Sequence, residues 1–161
     1  MKALRIALLG FVLGLAGASG VSAAAYDDLI NAANLGDTGK VASFIDRGLD
    51  VNSVDPRGET LLIIAARNGY TELVKALLAR RAKVEAVNAV GETALAVAAF
   101  NGHVAVVDQL LAAGANPVNN QGWSALHNAA MQGHTAVLKA LIARGAPVDA
   151  PAPNGATALM L

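Results

Sequence analysis

Three histidines are the side chains of this sequence best suited to bind a metal ion. His103 and His134 each follow a glycine, and they lie 31 residues apart with His127 between them. A zinc ion binds imidazole nitrogen at about 2 Å, so its ligands must converge on one point. Equivalent positions of packed helical units are ~10 Å apart, which is too far for one shared ion. We therefore predict that these histidines form no metal site.

The other reactive side chains form no catalytic motif. The sequence contains no cysteine, which excludes disulfides, thiolate metal sites and cysteine nucleophiles. It also contains no Ser-His-Asp spacing, no glycine-rich phosphate loop and no paired-carboxylate motif. Glu59 and Glu92 recur 33 residues apart, which indicates equivalent positions of a repeat. We expect neither an enzyme nor a cofactor.

The composition favours a helical protein without affinity for nucleic acid. The 12 basic and 12 acidic residues cancel, so the chain has no general attraction for phosphate backbones. Apolar residues make up 55% of the sequence and aromatic residues only 4%. Small aliphatic side chains at this density favour closely packed helices. The sequence therefore predicts an all-α fold.

The chemistry-bearing residues lie within a pattern that repeats about every 33 residues. Two sets of glycines recur at spacings of 31 or 33: Gly58, Gly91, Gly122 and Gly155, and Gly36, Gly69, Gly102 and Gly133. Each glycine of the first set is followed by Thr or Ser two residues later and by Leu after two more. Alanine pairs and then apolar pairs follow in the same phase. A fixed period of this length indicates a solenoid of stacked units.

Each unit is predicted to contain two short helices. The Thr or Ser hydroxyl caps the first helix, the alanine pair allows close packing, and a glycine such as Gly69 permits the left-handed turn that follows. The second helix, around residues 69–78, has apolar residues at helical spacing. An extended loop with a valine leads into the next unit.

This pattern resembles the ankyrin repeat. The stretch Gly-Trp-Ser-Ala-Leu-His-Asn-Ala-Ala at 122–130 is closest to the family's opening motif, Thr-Pro-Leu-His-x-Ala-Ala, although no unit has the proline. The resemblance covers residues 26–161 and implies a solenoid of stacked helix-turn-helix units with β-hairpin-like finger loops. It also implies that the histidines are structural and bond to nearby backbone.

The resemblance divides the chain into units. They are an N-terminal capping repeat at 26–54, full repeats at 55–87, 88–118 and 119–151, and a partial repeat at 152–161. The apolar end of the partial repeat has two interpretations. Either the chain is a truncated version of a longer protein, which we favour, or its tail lies over the last helix pair.

An ankyrin stack binds protein partners on its concave side, which the fingertips and the exposed ends of the first helices form. Motif phase places the following residues there: Arg57, Glu59, Arg67, Val90, Glu92, Phe100, Asn101, Gln121, Trp123, Met131 and Gln132. We expect Phe100, Trp123 and Met131 to form one apolar patch; alternatively, they pack inward. The loop from Gly114 to Gly122 is two residues shorter than its counterparts, either as neutral variation or as a lowered finger beside this patch.

The N-terminus has the features of a secretory signal peptide at residues 1–25. Lys2 and Arg5 precede an uncharged run from 6 to 25 that ends in small residues. Cleavage after Ala23 or Ala25 fits, and we favour Ala25. The alternative is an uncleaved inner-membrane anchor, because 20 uncharged residues approach the length of a bilayer span. With no cysteine in the chain, we expect a periplasmic protein.

These features predict a periplasmic protein–protein interaction module. After cleavage it would have no contact with the membrane, and it would be monomeric when free. The alternative is a chaperone-like, protective or immunity-type inhibitory partner of a secreted enzyme. The sequence does not identify the partner.

Overall fold

The fold is a stack of antiparallel helix pairs, seen in a computed structural model that describes residues 23–118 and 124–160. Within these residues the α-helices are α1 (Ala23–Asn34), α2 (Thr38–Asp46), α3 (Leu61–Asn68), α4 (Thr71–Ala79), α5 (Ala94–Phe100), α6 (Val104–Ala112), α7 (Ala125–Met131) and α8 (Thr135–Ala143). A 3-10 turn at Ala158–Met160 follows them. Odd-numbered helices are the first of each unit and even-numbered helices the second. The predicted all-α architecture of helix-turn-helix units is confirmed.

Hydroxyl side chains begin the first helices, as the sequence predicts. Thr60, Thr93 and Ser124 each accept a hydrogen bond from the backbone N–H three residues later, at 3.2 Å in every case. Each bond satisfies an amide that the helix start would leave unpaired, and such a cap contributes about 1 kcal/mol. The helices α3, α5 and α7 therefore begin at the same point of their units.

Glycines in the left-handed conformation separate the two helices of each unit. Gly102 has a φ of 78° and Gly133 a φ of 71°, and both lie between a first and a second helix. The predicted positions of these tight turns are confirmed.

The core lies between the first helices, which stack directly on one another. Residues 61–66 of α3 and 94–99 of α5 are all buried, and both stretches end in an alanine pair. The small side chains let α3 pack closely on α5, and α5 on α7. The second helices form an outer layer and bury a narrower stripe, which in α4 consists of Leu73, Val74 and Leu77.

A short hairpin, here called a finger, precedes each of α3, α5 and α7. Antiparallel bridges close the three fingers, joining Val54 to Thr60, Val87 to Thr93 and Val118 to Ser124. Five residues lie between the bridging positions in each finger. The two residues by which the loop from Gly114 to Gly122 is shorter are therefore not missing from the finger, as the lowered-finger interpretation requires.

The stretch that leads into the third finger, from Gly114 to Val118, is two residues shorter than the equivalent stretches before the first two fingers. The chain makes a turn at 51–52 and at 84–85, whereas residues 115–118 contain no such turn. Asn116 precedes Pro117, and a residue before proline is restricted to extended backbone. The chain therefore enters this finger directly, and the finger itself keeps its length.

The two ends of the stack differ. Residues 1–22, which contain most of the predicted signal peptide, lie outside the described residues. None of the described helices is long and apolar enough to cross a bilayer. At the other end, the backbone of Ala152 bonds to that of Ala156 at 2.8 Å and begins a fourth finger. The 3-10 turn after it packs against α7.

Candidate functional site

Side chains at the C-terminal ends of the first helices form a row that is half-buried at Arg67 and exposed at Phe100 and Met131. Arg67, Phe100 and Met131 occupy equivalent positions of three successive units. Phe100 is 43% and Met131 is 53% exposed, so the alternative in which these two side chains pack inward is wrong. Asn101 and Gln132 follow them and are also exposed.

The remaining predicted contact residues lie on the fingers. Arg57 and Val90 are exposed at the tips of the first and second fingers. Gln121 and Trp123 lie outside the described residues. The structure therefore describes two members of the predicted apolar patch, Phe100 and Met131.

Five charged residues connect the first two fingers to the end of α3. We call them the charge cluster: Asp55, Arg57, Glu59, Arg67 and Glu92. Arg57 Nε lies 3.0 Å from an Asp55 oxygen, and Arg57 Nη2 lies 3.6 Å from Glu59 Oε2. Arg67 Nη2 contacts Glu59 Oε1 and lies 3.9 Å from Glu92 Oε2.

Glu59 is not an exposed contact position. Its exposure is only 5%, and the expectation that it lies on the surface is wrong. A buried carboxylate is costly unless it is paired, and two guanidinium groups pair this one. In this structure Glu59 holds Arg57 and Arg67 in place.

Asp55 organises the first finger through its side chain. Its Oδ1 accepts hydrogen bonds from the backbone N–H groups of Arg57 at 2.8 Å and Glu59 at 2.9 Å. Burial would raise the pKa of Asp55, but these bonds and the Arg57 guanidinium outweigh burial and lower it below 3.8. Asn88 makes the same turn in the second finger, with bonds from Val90 and Glu92.

An open groove of about 320 Å³ lies between the second finger and the first helices. Its lining residues are Arg67, Glu92, Val97, Phe100 and Asn101. All of them except Val97 are predicted contact residues. The groove brings the exposed edge of the charge cluster to the Phe100 ring.

Two of the histidines bond to backbone across unit boundaries. His103 Nε2 lies 2.9 Å from the carbonyl oxygen of Arg67, and His134 Nε2 lies 2.9 Å from that of Phe100. A carbonyl only accepts, so each Nε2 carries the proton. Within residues 23–118 and 124–160, no group of three or more His, Asp or Glu is placed to hold a metal ion.

His127 has both ring nitrogens engaged. Its Nδ1 accepts from the Ser124 backbone N–H at 3.2 Å, and its Nε2 lies 3.1 Å from the Ala156 carbonyl oxygen. The Ser124 hydroxyl also contacts Nδ1 at 2.7 Å. His127 therefore completes the cap of α7 and attaches the tail of the chain to that helix.

Tyr70 is a structural residue that sequence reasoning missed. Its hydroxyl donates to the carbonyl oxygen of Asn34 at 3.1 Å, in the same way as the two histidine rings of the later units. The pair Gly69-Tyr70 is in phase with Gly102-His103, and this spacing was the available signal.

Comparison with known proteins agrees with this architecture. A family model described as "Ankyrin repeats (3 copies)" matches residues 29–121 and again residues 109–161. No curated protein is significantly similar to the chain. The matched residues include all the capped helices, glycine turns and fingers described above. By this match and this structure, the chain belongs to the ankyrin-repeat family.

Proposed function

We propose that this chain is a periplasmic protein–protein interaction module whose partner contacts the fingers and the ends of the first helices. Ankyrin repeats are generally protein-interaction modules. The location is inferred from Lys2, Arg5 and the uncharged run that follows them.

The observation that carries the proposal is the exposure of Phe100, which lines the groove, and of Met131 at the equivalent position of the next unit. Both follow stretches of helix that are largely buried. Aromatic residues and methionine are enriched at protein interfaces, and exposed apolar side chains in a polar rim are typical of a binding site. Asn101 and Gln132 provide such a rim here.

The test is capture of partners from periplasmic extract with variants of the immobilised protein. Phe100→Ala and Met131→Ala should each weaken binding of the specifically retained protein, and a hot-spot loss of about 2 kcal/mol corresponds to roughly 30-fold. Ile142→Ala is the matched control, because Ile142 is 51% exposed but lies on the second helix α8. Equal retention by all three variants would contradict the proposed surface.

A further inference from the structure

We infer that the groove lined by Arg67, Glu92, Val97, Phe100 and Asn101 binds an arginine side chain of the protein partner. This inference rests on the proposed function and adds the chemistry that the partner must present.

The balance of charge in the charge cluster places a negative charge in the groove. Three carboxylates face two guanidinium groups, so one negative charge is left over. Asp55 and Glu59 are buried and closely paired. Glu92 has a side chain that is 45% exposed, and its nearest guanidinium nitrogen is 3.9 Å away. The excess charge therefore lies at Glu92.

The Glu92 carboxylate is held in place through one of its own two oxygens. Its Oε2 accepts from Asn88 Nδ2 at 2.8 Å and is also the oxygen nearest to Arg67. Asn88 is itself fixed by two backbone N–H groups of the finger. Among the described residues, none donates a hydrogen bond to Oε1 of Glu92. A positioned carboxylate with an available oxygen binds a cation without first having to be ordered.

The other lining residues complement a guanidinium group on a long stem. The exposed ring of Phe100 offers a face on which a guanidinium stacks, and Val97 offers apolar contact to the methylene stem. Asn101 uses its amide nitrogen to donate to the Val97 carbonyl at 2.8 Å. The group that Asn101 retains for a ligand is therefore an acceptor oxygen, which matches a donor-rich ligand.

Arginine fits these features better than lysine does. A planar guanidinium stacks on an aromatic ring and donates to two acceptors at once, whereas an ammonium is a compact point charge. Among the described residues that line the groove, Arg67 is the one cation, and the buried Glu59 carboxylate in contact with it offsets its charge.

The test is an NMR titration of the full chain with N-acetyl-arginine methylamide. Saturable amide shifts are expected at Glu92, Phe100 and Asn101. The citrulline analogue, which has the same shape but no charge, should cause no shifts there. Glu92→Gln should weaken arginine binding by about tenfold, as expected for a lost charge-assisted bond. Glu72→Gln is the matched control, because Glu72 is an exposed acid on α4 outside the groove, and it should bind as the unmodified chain does.

Several outcomes would overturn the inference. They are equal shifts with arginine and citrulline, equal affinity for the lysine analogue, or unchanged affinity in Glu92→Gln. Raising the salt concentration provides a measurement without mutation, because it should weaken a charge-based contact. If arginine does not bind while Phe100→Ala still loses the captured partner, the arginine inference is wrong and the proposed surface stands. If arginine binds but capture is insensitive to Phe100→Ala, the proposed surface is wrong.

Discussion

Arg81 occupies a position that favours glycine. Its φ is 62°, which makes it the one non-glycine residue with positive φ in the described part of the chain. The equivalent residues at the ends of the other second helices are Gly48, Gly114 and Gly145, which also have positive φ. A side chain with a Cβ is strained in this conformation.

Arg81→Gly should therefore stabilise the protein. We expect the free energy of unfolding to rise by about 1 kcal/mol, because the strain is relieved at a site where glycine fits. Arg80→Gly is the control, since Arg80 has a φ of −93° and makes an ion pair with Asp46 at 3.0 Å. It should lower stability. Urea denaturation measures both, and no gain in Arg81→Gly would show that the turn is unstrained.

Two glycines in equivalent turns differ in their surroundings. A Cβ added at Gly102 would lie 2.8 Å from atoms of the His134 ring, whereas a Cβ at Gly133 would meet nothing within 4 Å. Both have positive φ, so both substitutions cause backbone strain. Only the substitution at Gly102 also displaces a ring that bonds to the neighbouring unit.

Gly102→Ala should therefore destabilise more than Gly133→Ala. Backbone strain costs about 1 kcal/mol at each site, and disturbing the His134 bond adds about another 1 kcal/mol at Gly102. Substitution by the larger valine should be destabilising at both sites. Thermal and chemical unfolding of the two alanine variants test this difference, and equal losses would show that the ring moves aside at no cost.

Trp123 lies outside the described residues, so its role stays a prediction from motif phase. Trp123→Ala should weaken partner binding by roughly 2 kcal/mol and lower stability by less than the ~3–5 kcal/mol of a buried aromatic truncation. Tryptophan emission should be red-shifted in the free protein and move to the blue on binding. A blue, quencher-protected emission in the free protein would place Trp123 in the core.

At the scale of the structural element, the first two fingers are the same turn built with different side chains. Asp55 and Asn88 accept equivalent backbone bonds. Asp55 adds a charge, and its pKa is lowered in the folded state. Its contribution to stability is therefore complete above its ordinary pKa of 3.8 and is lost as the pH falls below that value.

Asp55→Asn should keep the turn and remove this dependence on pH. We expect a loss of about 1 kcal/mol at pH 7, because the charge-assisted bond to Arg57 is lost. The difference from the unmodified protein should stay constant above pH 3.8 and shrink as the pH falls below that value. Unfolding at several pH values measures it, with Asp28→Asn on α1 as a control for removing an exposed acid. A difference that does not depend on pH would contradict the role of the carboxylate.

Hydrogen bonds from ring side chains connect neighbouring helix pairs. Tyr70, His103 and His134 each reach a backbone carbonyl near the end of the preceding first helix. These bonds add a directional contact between units to the alanine-rich packing of the first helices. A tyrosine in place of a histidine retains the hydrogen-bond donor, so the second unit keeps this bond to the first.

At the scale of the whole molecule, the main contacts of each described unit are with its neighbours in the stack. Such a stack gains stability from its units and from the interfaces between them. The described chain begins in α1, at Ala23, within the predicted signal peptide. Cleavage after Ala25 would leave Tyr26 as the first residue and would remove three residues from the start of that helix.

Export and processing are therefore directly testable. Mass spectrometry of the exported protein should show an N-terminus at Ala24 or Tyr26, because small residues precede both sites. Recovery of the protein from membrane fractions with Met1 intact would contradict the periplasmic location and favour the anchored alternative. The processed chain would carry 10 basic and 12 acidic residues once Lys2 and Arg5 are removed.

The sequence alone was sufficient to predict the unit and most of its internal positions. Caps such as Thr60, turns such as Gly102 and the exposed ends of the first helices depend on spacings of a few residues within one unit. Local spacing determines which backbone groups a side chain reaches and which face of a helix it occupies. These features could therefore be predicted from the sequence repeat of about 33 residues.

The candidate site depended on how the units stack. Glu59 and Glu92 are equivalent in the repeat, yet Glu59 is buried between two arginines and Glu92 borders an open groove. The difference arises because Arg67 lies against the first finger, and the next unit has Phe100 in place of Arg67. The sequence repeat determines the position of a residue within its own unit. Its burial and its ion pairs depend on side chains that meet across unit boundaries, which only the tertiary structure shows.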